Sequence, residues 1–107
     1  MTKDNKKNYV SYEVNDKVDL EIQTIIWDMH ELLKEKRKDK MSSIQWFNIF
    51  KLKDYLVINN QQHDPVKKDK LKIMRRNLNV DNMTILIIEG VNKQVMLMST
   101  EYKKIKN

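Results

Sequence analysis

The first residues in this chain that could do chemistry are its two histidines. His30-Glu31 begins the His-Glu-x-x-His pattern of zinc proteases, but Lys34 stands where the second metal ligand would be. His63-Asp64 could orient an imidazole, yet no nucleophile is placed beside it by spacing. We therefore predict no catalytic residue, no metal site and no cofactor, and we expect that the protein is not an enzyme.

A second candidate site is the basic segment between Val66 and Arg76. Its cations are Lys67, Lys68, Lys70, Lys72, Arg75 and Arg76, and Asp69 is the one acid among them. Clustered cations neutralise phosphates, and the net charge of +6 favours a polyanionic partner. These side chains are the candidate nucleic-acid site. The alternative is a lysine-rich, solvated surface that binds nothing.

Aromatic side chains are concentrated in Ser43–Gln62. Trp46, Phe47 and Phe50 could stack on bases, as aromatics do on sheets that bind single-stranded RNA. The Lys/Arg-Gly-Phe/Tyr consensus of such sheets is absent, because this segment contains no glycine. We therefore assign these aromatics to the hydrophobic core.

The strongest predicted helix, Val18–Arg37, carries a third candidate site. Its apolar residues recur at spacings of three and four and form a stripe that should lie on a sheet. The stripe comprises Val18, Ile22, Ile25, Ile26, Met29, Leu32 and Leu33. Leu20 and Trp27 lie on roughly the opposite side. A tryptophan there needs cover, either from the rest of the chain or from a protein partner or second copy, so Leu20 and Trp27 are the candidate protein interface.

Composition sets the limits within which these sites must be placed. A length of 107 residues predicts one domain with a small core. One glycine and one proline argue against phosphate loops and dinucleotide-binding turns, which need clustered glycines. The absence of cysteine and of an apolar leader predicts a cytoplasmic protein. We expect a disordered segment 1–8, a single domain over 9–102 and a basic tail over 103–107.

Two segments flank the helix as predicted strands. Tyr9–Val14 alternates and is rich in residues that favour strands, so it predicts a first strand. Ser43–Gln62 predicts a hairpin of two strands around a tight turn at Lys53-Asp54. Both faces of its first strand are partly apolar, which is typical of a central strand covered on both sides.

The second half of the chain is less clearly patterned. Val66–Leu78 fits a basic helix, or a long loop with a short strand at Leu71–Met74. Met83–Glu89 and Gln94–Ser99 predict a second hairpin, with Gly90 in a turn at positive φ. Together these elements predict an α+β fold. It consists of a mainly antiparallel sheet of about four to five strands packed by one long amphipathic helix.

The order and spacing of several short motifs resemble a known family, the staphylococcal and streptococcal domain of unknown function numbered 960. The motifs that carry the resemblance are Tyr9-Val10-Ser11, Gln23 with Trp27, Gln45 with Phe47, Phe50-Lys51-Leu52, Ile58 to Pro65, and Met96-Leu97-Met98 with Glu101-Tyr102. The sequence departs from the family pattern at Asn60, where the family has His, and at His63, where it has Glu. Any polar site of the family formed by those two positions would be altered here.

The resemblance implies a compact α+β domain carried on mobile genetic elements, including phages and staphylococcal cassette chromosomes, and it implies no established activity. Combined with the Leu20/Trp27 surface, it suggests a non-catalytic protein-binding module. Its partner would be a host or element protein that processes nucleic acid. The alternative is a nucleic-acid-binding protein that uses the basic segment. An enzyme would require a pocket that gathers His63, Asp64 and Glu101.

Overall fold

More of this chain forms β-strands than the sequence analysis predicted. A computed structural model describes residues 6–74 and 80–106 and contains one six-stranded sheet. In chain order the elements are β1 (Lys7–Val10), α1 (Tyr12–Lys17), α2 (Leu20–Arg37), a short 3-10 helix (Lys38–Lys40), β2 (Ile44–Lys51), β3 (Leu56–His63), β4 (Val66–Ile73), β5 (Met83–Glu89), β6 (Lys93–Met98) and α3 (Ser99–Lys106).

The strand order across the sheet is β1-β6-β5-β2-β3-β4. β1 runs parallel to β6, and every other neighbouring pair is antiparallel. The predicted α+β class is therefore confirmed, whereas the predicted number of four to five strands is wrong. A parallel β1 and a full-length β4 make the sheet mixed and six-stranded.

The basic segment supplies one of the additional strands. Val66–Ile73 pairs with β3 along its whole length, from Val66 opposite His63 to Ile73 opposite Leu56. A basic helix is wrong for these residues, and the short strand expected at Leu71–Met74 is the end of a longer one. The physical reason is that Leu71 and Ile73 are two residues apart, which puts both on one face of a strand but not of a helix.

The N-terminal region also differs from the prediction. The first strand ends at Val10, because the Ser11 side chain accepts a hydrogen bond from the Val14 amide at 3.1 Å and so begins α1. Lys7 and Asn8 lie in β1 and are not disordered, and residues 1–5 lie outside the described part of the chain.

The C-terminal end of the chain also differs from the prediction. The expected basic tail is mostly helical, because α3 continues to Lys106. Gly90 does not adopt the predicted positive φ.

The long helix α2 covers one face of the sheet, as its apolar stripe predicts. Its buried residues Ile22, Ile26, Met29 and Leu33 belong to one core with side chains of the central strands. Those strand residues include Phe47, Ile49, Ile58, Ile85, Ile87 and Met96. Leu32 departs from the predicted stripe, because it is 66% exposed.

The other face of the sheet is covered only in part. α3 contacts β5 and β6, and Leu86 and Leu97 are buried on that half. Strands β2, β3 and β4 lie beyond it, so no helix of residues 6–74 and 80–106 covers their side of the sheet opposite α2, which we call open. None of the helices in residues 6–74 and 80–106 is long and apolar enough to cross a membrane.

A buried histidine joins α2 to the sheet. His30 is 1% exposed, and its Nε2 lies 3.0 Å from Gln94 Oε1, which also accepts from Lys34 Nζ at 3.0 Å. His30 Nδ1 has no hydrogen-bond partner among the described residues. Burial lowers the pKa of His30, and the hydrogen bond to Gln94 opposes that shift only partly.

We predict that this histidine makes stability depend on pH. Because its pKa is lower in the folded state, the unfolded chain binds a proton first as pH falls below 6.5, and the free energy of unfolding declines. Urea unfolding at about pH 7.5 and pH 5.5 should show this decline, and His30→Gln should reduce it. His63→Gln is the matched control, since His63 is exposed. An equal pH dependence in wild type and His30→Gln would contradict the prediction.

Candidate nucleic-acid interface

The guanidinium of Arg37, the last residue of α2, connects three strands beneath the helix. Its side chain is 2% exposed. Nη1 donates to Gln45 Oε1 at 3.1 Å and to Gln62 Oε1 at 2.9 Å. Nη2 donates to Asn60 Oδ1 and Asp69 Oδ2, both at 2.7 Å. One buried cation thus fixes β2, β3 and β4 relative to α2.

Asp69 is the charged partner in this network, and it comes from β4. Burial raises the pKa of its carboxyl, but hydrogen bonds and charges from Lys36 and Arg37 outweigh burial and lower the pKa overall. Lys36 Nζ lies 2.7 Å from Asp69 Oδ1. The carboxylate therefore stays ionised at neutral pH and holds Asp69 on the α2 side of the sheet.

The orientation of Asp69 determines where the lysines of β4 point. Because side chains alternate along a strand, Lys68, Lys70 and Lys72 lie on the opposite, open side. Alternate residues on one strand face are roughly 7 Å apart. The lysines therefore form an evenly spaced line of charge along the edge strand.

The register of the three strands places aromatic and amide side chains beside this line. Trp46, Asn48 and Phe50 of β2 are on the same side of the sheet. Successive rows across β2, β3 and β4 are Trp46–Gln61–Lys68, Asn48–Asn59–Lys70 and Phe50–Val57–Lys72. We call these nine residues the open face. Every row ends in a lysine, and two of the three rows begin with an aromatic ring.

A cleft of about 410 Å³ lies on the open face. It is lined by Asn48, Phe50, Asn59, Gln61, Lys68 and Lys70 together with parts of Asn60 and Asp69. Phe50 is 42% exposed, which is unusual for a strand phenylalanine and makes its ring accessible from solvent. The cleft thus combines an exposed ring, amide groups and two lysines.

Neighbouring contacts orient several of these side chains. Thr84 Oγ1 donates to Asn48 Oδ1 at 2.7 Å, so the Asn48 NH₂ group is available as a donor. Lys72 Nζ lies 4.1 Å from the ring centroid of Tyr55, in cation–π geometry. These contacts reduce the number of conformations that the face adopts before any ligand arrives.

Trp46 forms the boundary between the open face and α3. Its ring contacts Tyr102 and His63 edge-on, with centroid distances of 5.8 Å and 5.9 Å. Its Nε1–H is buried and has no acceptor among the described residues. Trp46 is half-buried, so Phe50 is the more accessible ring of the pair.

The open face carries no negative charge from its own strands. Within the fully described strands β2, β3 and β4, the one acidic residue is Asp69, which lies on the α2 side. Although Asp69 also lines the cleft, its carboxylate is paired with Lys36 and Arg37, so a polyanion approaching the open face would meet lysines and no unpaired carboxylate of these strands.

Only part of the predicted nucleic-acid site lies on one side of the sheet. Lys68, Lys70 and Lys72 lie together, whereas Lys67 is opposite Gln62 and on the α2 side. Arg75 and Arg76 lie outside the described residues.

Assigning all three aromatics to the core is correct only for Phe47, which is fully buried. Sequence analysis also missed Asn48, Asn59 and Gln61. For Asn59 and Gln61 the signal was the run of four amides from Asn59 to Gln62, in which alternate residues share one face of a strand, whereas Asn48 is isolated and gave no such signal.

The candidate protein interface on α2 is divided between solvent and core. Leu20 is 74% exposed. Trp27 is half-buried, packs against the core and contacts the His30 ring edge-on at 6.3 Å between centroids. The chain itself therefore provides part of the cover that Trp27 needs.

The residues considered for catalysis have structural contacts. His63 lies against Trp46, and Glu101 Oε1 accepts from Ser11 Oγ at 2.6 Å and from the Met98 amide at 2.8 Å. In residues 6–74 and 80–106, no cluster of three or more His, Cys, Asp or Glu is placed to hold a metal ion.

Comparison with known proteins adds information about fold alone. No protein-family model matches the sequence, and no curated protein matches it. The crystal structure of a protein of unknown function from Enterococcus faecalis is similar, with a TM-score of 0.78 at 11% identity. The similarity covers 94% of this chain and 97% of that chain. It shows a shared fold, and the resemblance to domain of unknown function 960 remains a prediction.

We predict that Asp69→Ala lowers the free energy of unfolding by about 2–3 kcal/mol, because it leaves the buried Arg37 guanidinium without a counter-charge. The value is below the full cost of breaking a buried pair, since the Asp69 side chain is 24% exposed. Urea unfolding at pH 7 measures this loss of unfolding free energy. Asp16→Ala is the control, because Asp16 is an exposed acid in α1. Equal stability of the two variants would contradict the role assigned to Asp69.

Proposed function

We propose that this protein binds single-stranded nucleic acid on the open face. The observation that carries the proposal is the set of three rows, in which lysines of β4 lie beside amides of β3 and aromatic rings of β2. Phosphates would contact the lysines, and bases would lie toward Phe50 and the amides. This division of roles is typical of sheets that bind unpaired strands.

The open face, a sheet surface that contains a cleft, favours a single strand over a duplex. Reading duplex DNA through its major groove requires a helix or ribbon that enters the groove. Aromatic rings such as Phe50 stack only on bases that are unpaired and turned outward, and each stacked base contributes about 1–3 kcal/mol. The open face offers such a ring, and all nine of its residues lie in strands rather than in a projecting element.

The amides would contribute to base contact. Asn59 and Gln61 carry both donors and acceptors, and Asn48 presents its NH₂ group because its carbonyl already accepts from Thr84. A base with a carbonyl oxygen on its edge could accept from Asn48 while it stacks on Phe50. The amides thus favour bases whose exposed edge carries an acceptor.

We predict that the affinity for a short fluorescent oligo-uridine or oligo-deoxythymidine falls steeply with salt. For single strands the logarithmic slope is about 0.7 per neutralised phosphate, so Lys70→Gln should reduce the slope by about that amount. Fluorescence anisotropy over a series of salt concentrations measures both quantities. Lys17→Gln in α1 removes the same charge away from the open face and should leave the slope unchanged.

The aromatic part of the face is tested in the same titration. Phe50→Ala should weaken binding about tenfold at every salt concentration, with no change in slope, because it removes stacking but no charge. Val91→Ala, an exposed apolar residue outside the face, is the matched control. Absence of binding at low salt, or equal loss in Lys70→Gln and Lys17→Gln, would overturn the proposal.

A second candidate function is protein binding through α2, favoured by the 74% exposure of Leu20. In that proposal the chain is a mobile-element accessory protein, and its partner is a nucleic-acid-processing protein of the host or element or a second copy. Leu20→Glu distinguishes the two functions, because it should abolish a complex formed through α2 and leave nucleic-acid binding intact.

A further inference from the structure

Strand β4 forms one edge of the sheet, and its outer side pairs with no other strand of residues 6–74 and 80–106. The strand is eight residues long. A strand of this length at an edge presents unpaired backbone donors and acceptors to an incoming chain. An extended peptide can add to such an edge through main-chain hydrogen bonds.

An apolar cleft adjoins this edge on the α2 side. It has a volume of about 300 Å³ and is lined by Ile25, Asp28, Met29, Leu32, Leu71 and Ile73. Leu71 and Ile73 come from β4 itself, and the remaining residues come from α2. A side chain projecting toward α2 from a strand added to β4 would therefore find apolar surface, including the 66% exposed Leu32.

The opposite side of the same edge is basic. Lys68, Lys70 and Lys72 project from β4 onto the open face, so every second side chain of an added strand would lie beside a lysine. Carboxylates at those positions are favourable, and cations are unfavourable. The edge thus has two chemically different sides that match the two sides of an alternating strand.

This charge pattern argues against a second copy as the occupant. Antiparallel pairing of β4 with itself would bring lysines of one copy against lysines of the other, and like charges opposite each other destabilise a strand pair. A partner with acidic residues on that side avoids the conflict.

We propose that the outer edge of β4 binds an extended segment of another protein in which apolar residues alternate with Asp or Glu. The apolar side chains occupy the cleft between α2 and β4, the acidic side chains contact the β4 lysines, and the backbones pair. This interaction is separate from the proposed nucleic-acid binding, although both use Lys68, Lys70 and Lys72. An acidic segment on the edge would therefore compete with a nucleic acid on the open face.

The test uses a fluorescein-labelled peptide of about ten residues that alternates Val or Ile with Glu, long enough to pair with all of β4. A matched peptide with Lys in place of Glu tests the charge requirement. Fluorescence anisotropy should show binding of the Glu peptide and none of the Lys peptide. No binding of the Glu peptide, or equal binding of both, would overturn the proposal and leave the lysines as protection of an exposed edge.

Two substitutions, one at the cleft and one away from it, locate the site. Leu32→Glu places a charge at the cleft and should weaken peptide binding at least about tenfold, since a buried leucine-sized contact is lost. Tyr12→Glu, at an exposed residue of α1 outside the cleft, should have no effect. Oligonucleotide binding should be unchanged in both variants, so failure of this proposal is distinguishable from failure of nucleic-acid binding. An equal loss of peptide affinity in the two variants would show that the cleft is not the binding site.

Backbone pairing is tested with two N-methylated versions of the Glu peptide, methylated at alternate sets of residues. Only one set of peptide N–H groups can point toward β4, so one version should lose binding and the other should keep it. Similar affinity of both versions would show that the peptide does not add as a strand.

Discussion

The buried guanidinium of Arg37 is the constraint on which the rest of the structure depends. A charge removed from water must be paired and hydrogen-bonded, or the fold loses several kcal/mol. Here Nη1 and Nη2 are held by three amides and one carboxylate from three different strands, whereas the buried Nε has no partner among the described residues. The end of α2 and the registers of β2, β3 and β4 are therefore set together, because shifting any one strand would leave the cation or its acceptors unsatisfied.

The same pairing determines what the sheet presents to solvent. With Asp69 held against Arg37, the lysines of β4 must project on the other side, in register with the amides of β3 and with Trp46 and Phe50 of β2. A slip of one residue would exchange the faces, exposing Asp69 and directing lysines toward the core. A structural interaction on the α2 side of the sheet thus leaves the opposite side basic and aromatic. It also makes the outer edge of β4 apolar on one side and basic on the other.

Sequence reasoning recovered the elements whose patterns are local. The stripe of α2 and the alternation in Ser43–Gln62 predicted a helix on an antiparallel sheet. β4 was missed because its alternation is between lysines and few apolar residues, a pattern that a basic helix also fits. The open face could not be predicted, because its rows depend on the register of three strands. That register depends in turn on Arg37. Nothing in the sequence distinguished Arg37 from the other cations at the charged end of the helix.

The central claim is that Arg37 and Asp69 direct a nucleic-acid-binding surface to the side of the sheet opposite α2. The most direct measurement is a backbone amide NMR titration of the isotope-labelled protein with a short single-stranded oligonucleotide. Chemical-shift changes should be concentrated in β2, β3 and β4, largest around Phe50, Asn59 and Lys70, with α2 little affected. Shift changes centred on α2, or none at saturating oligonucleotide, would contradict this claim.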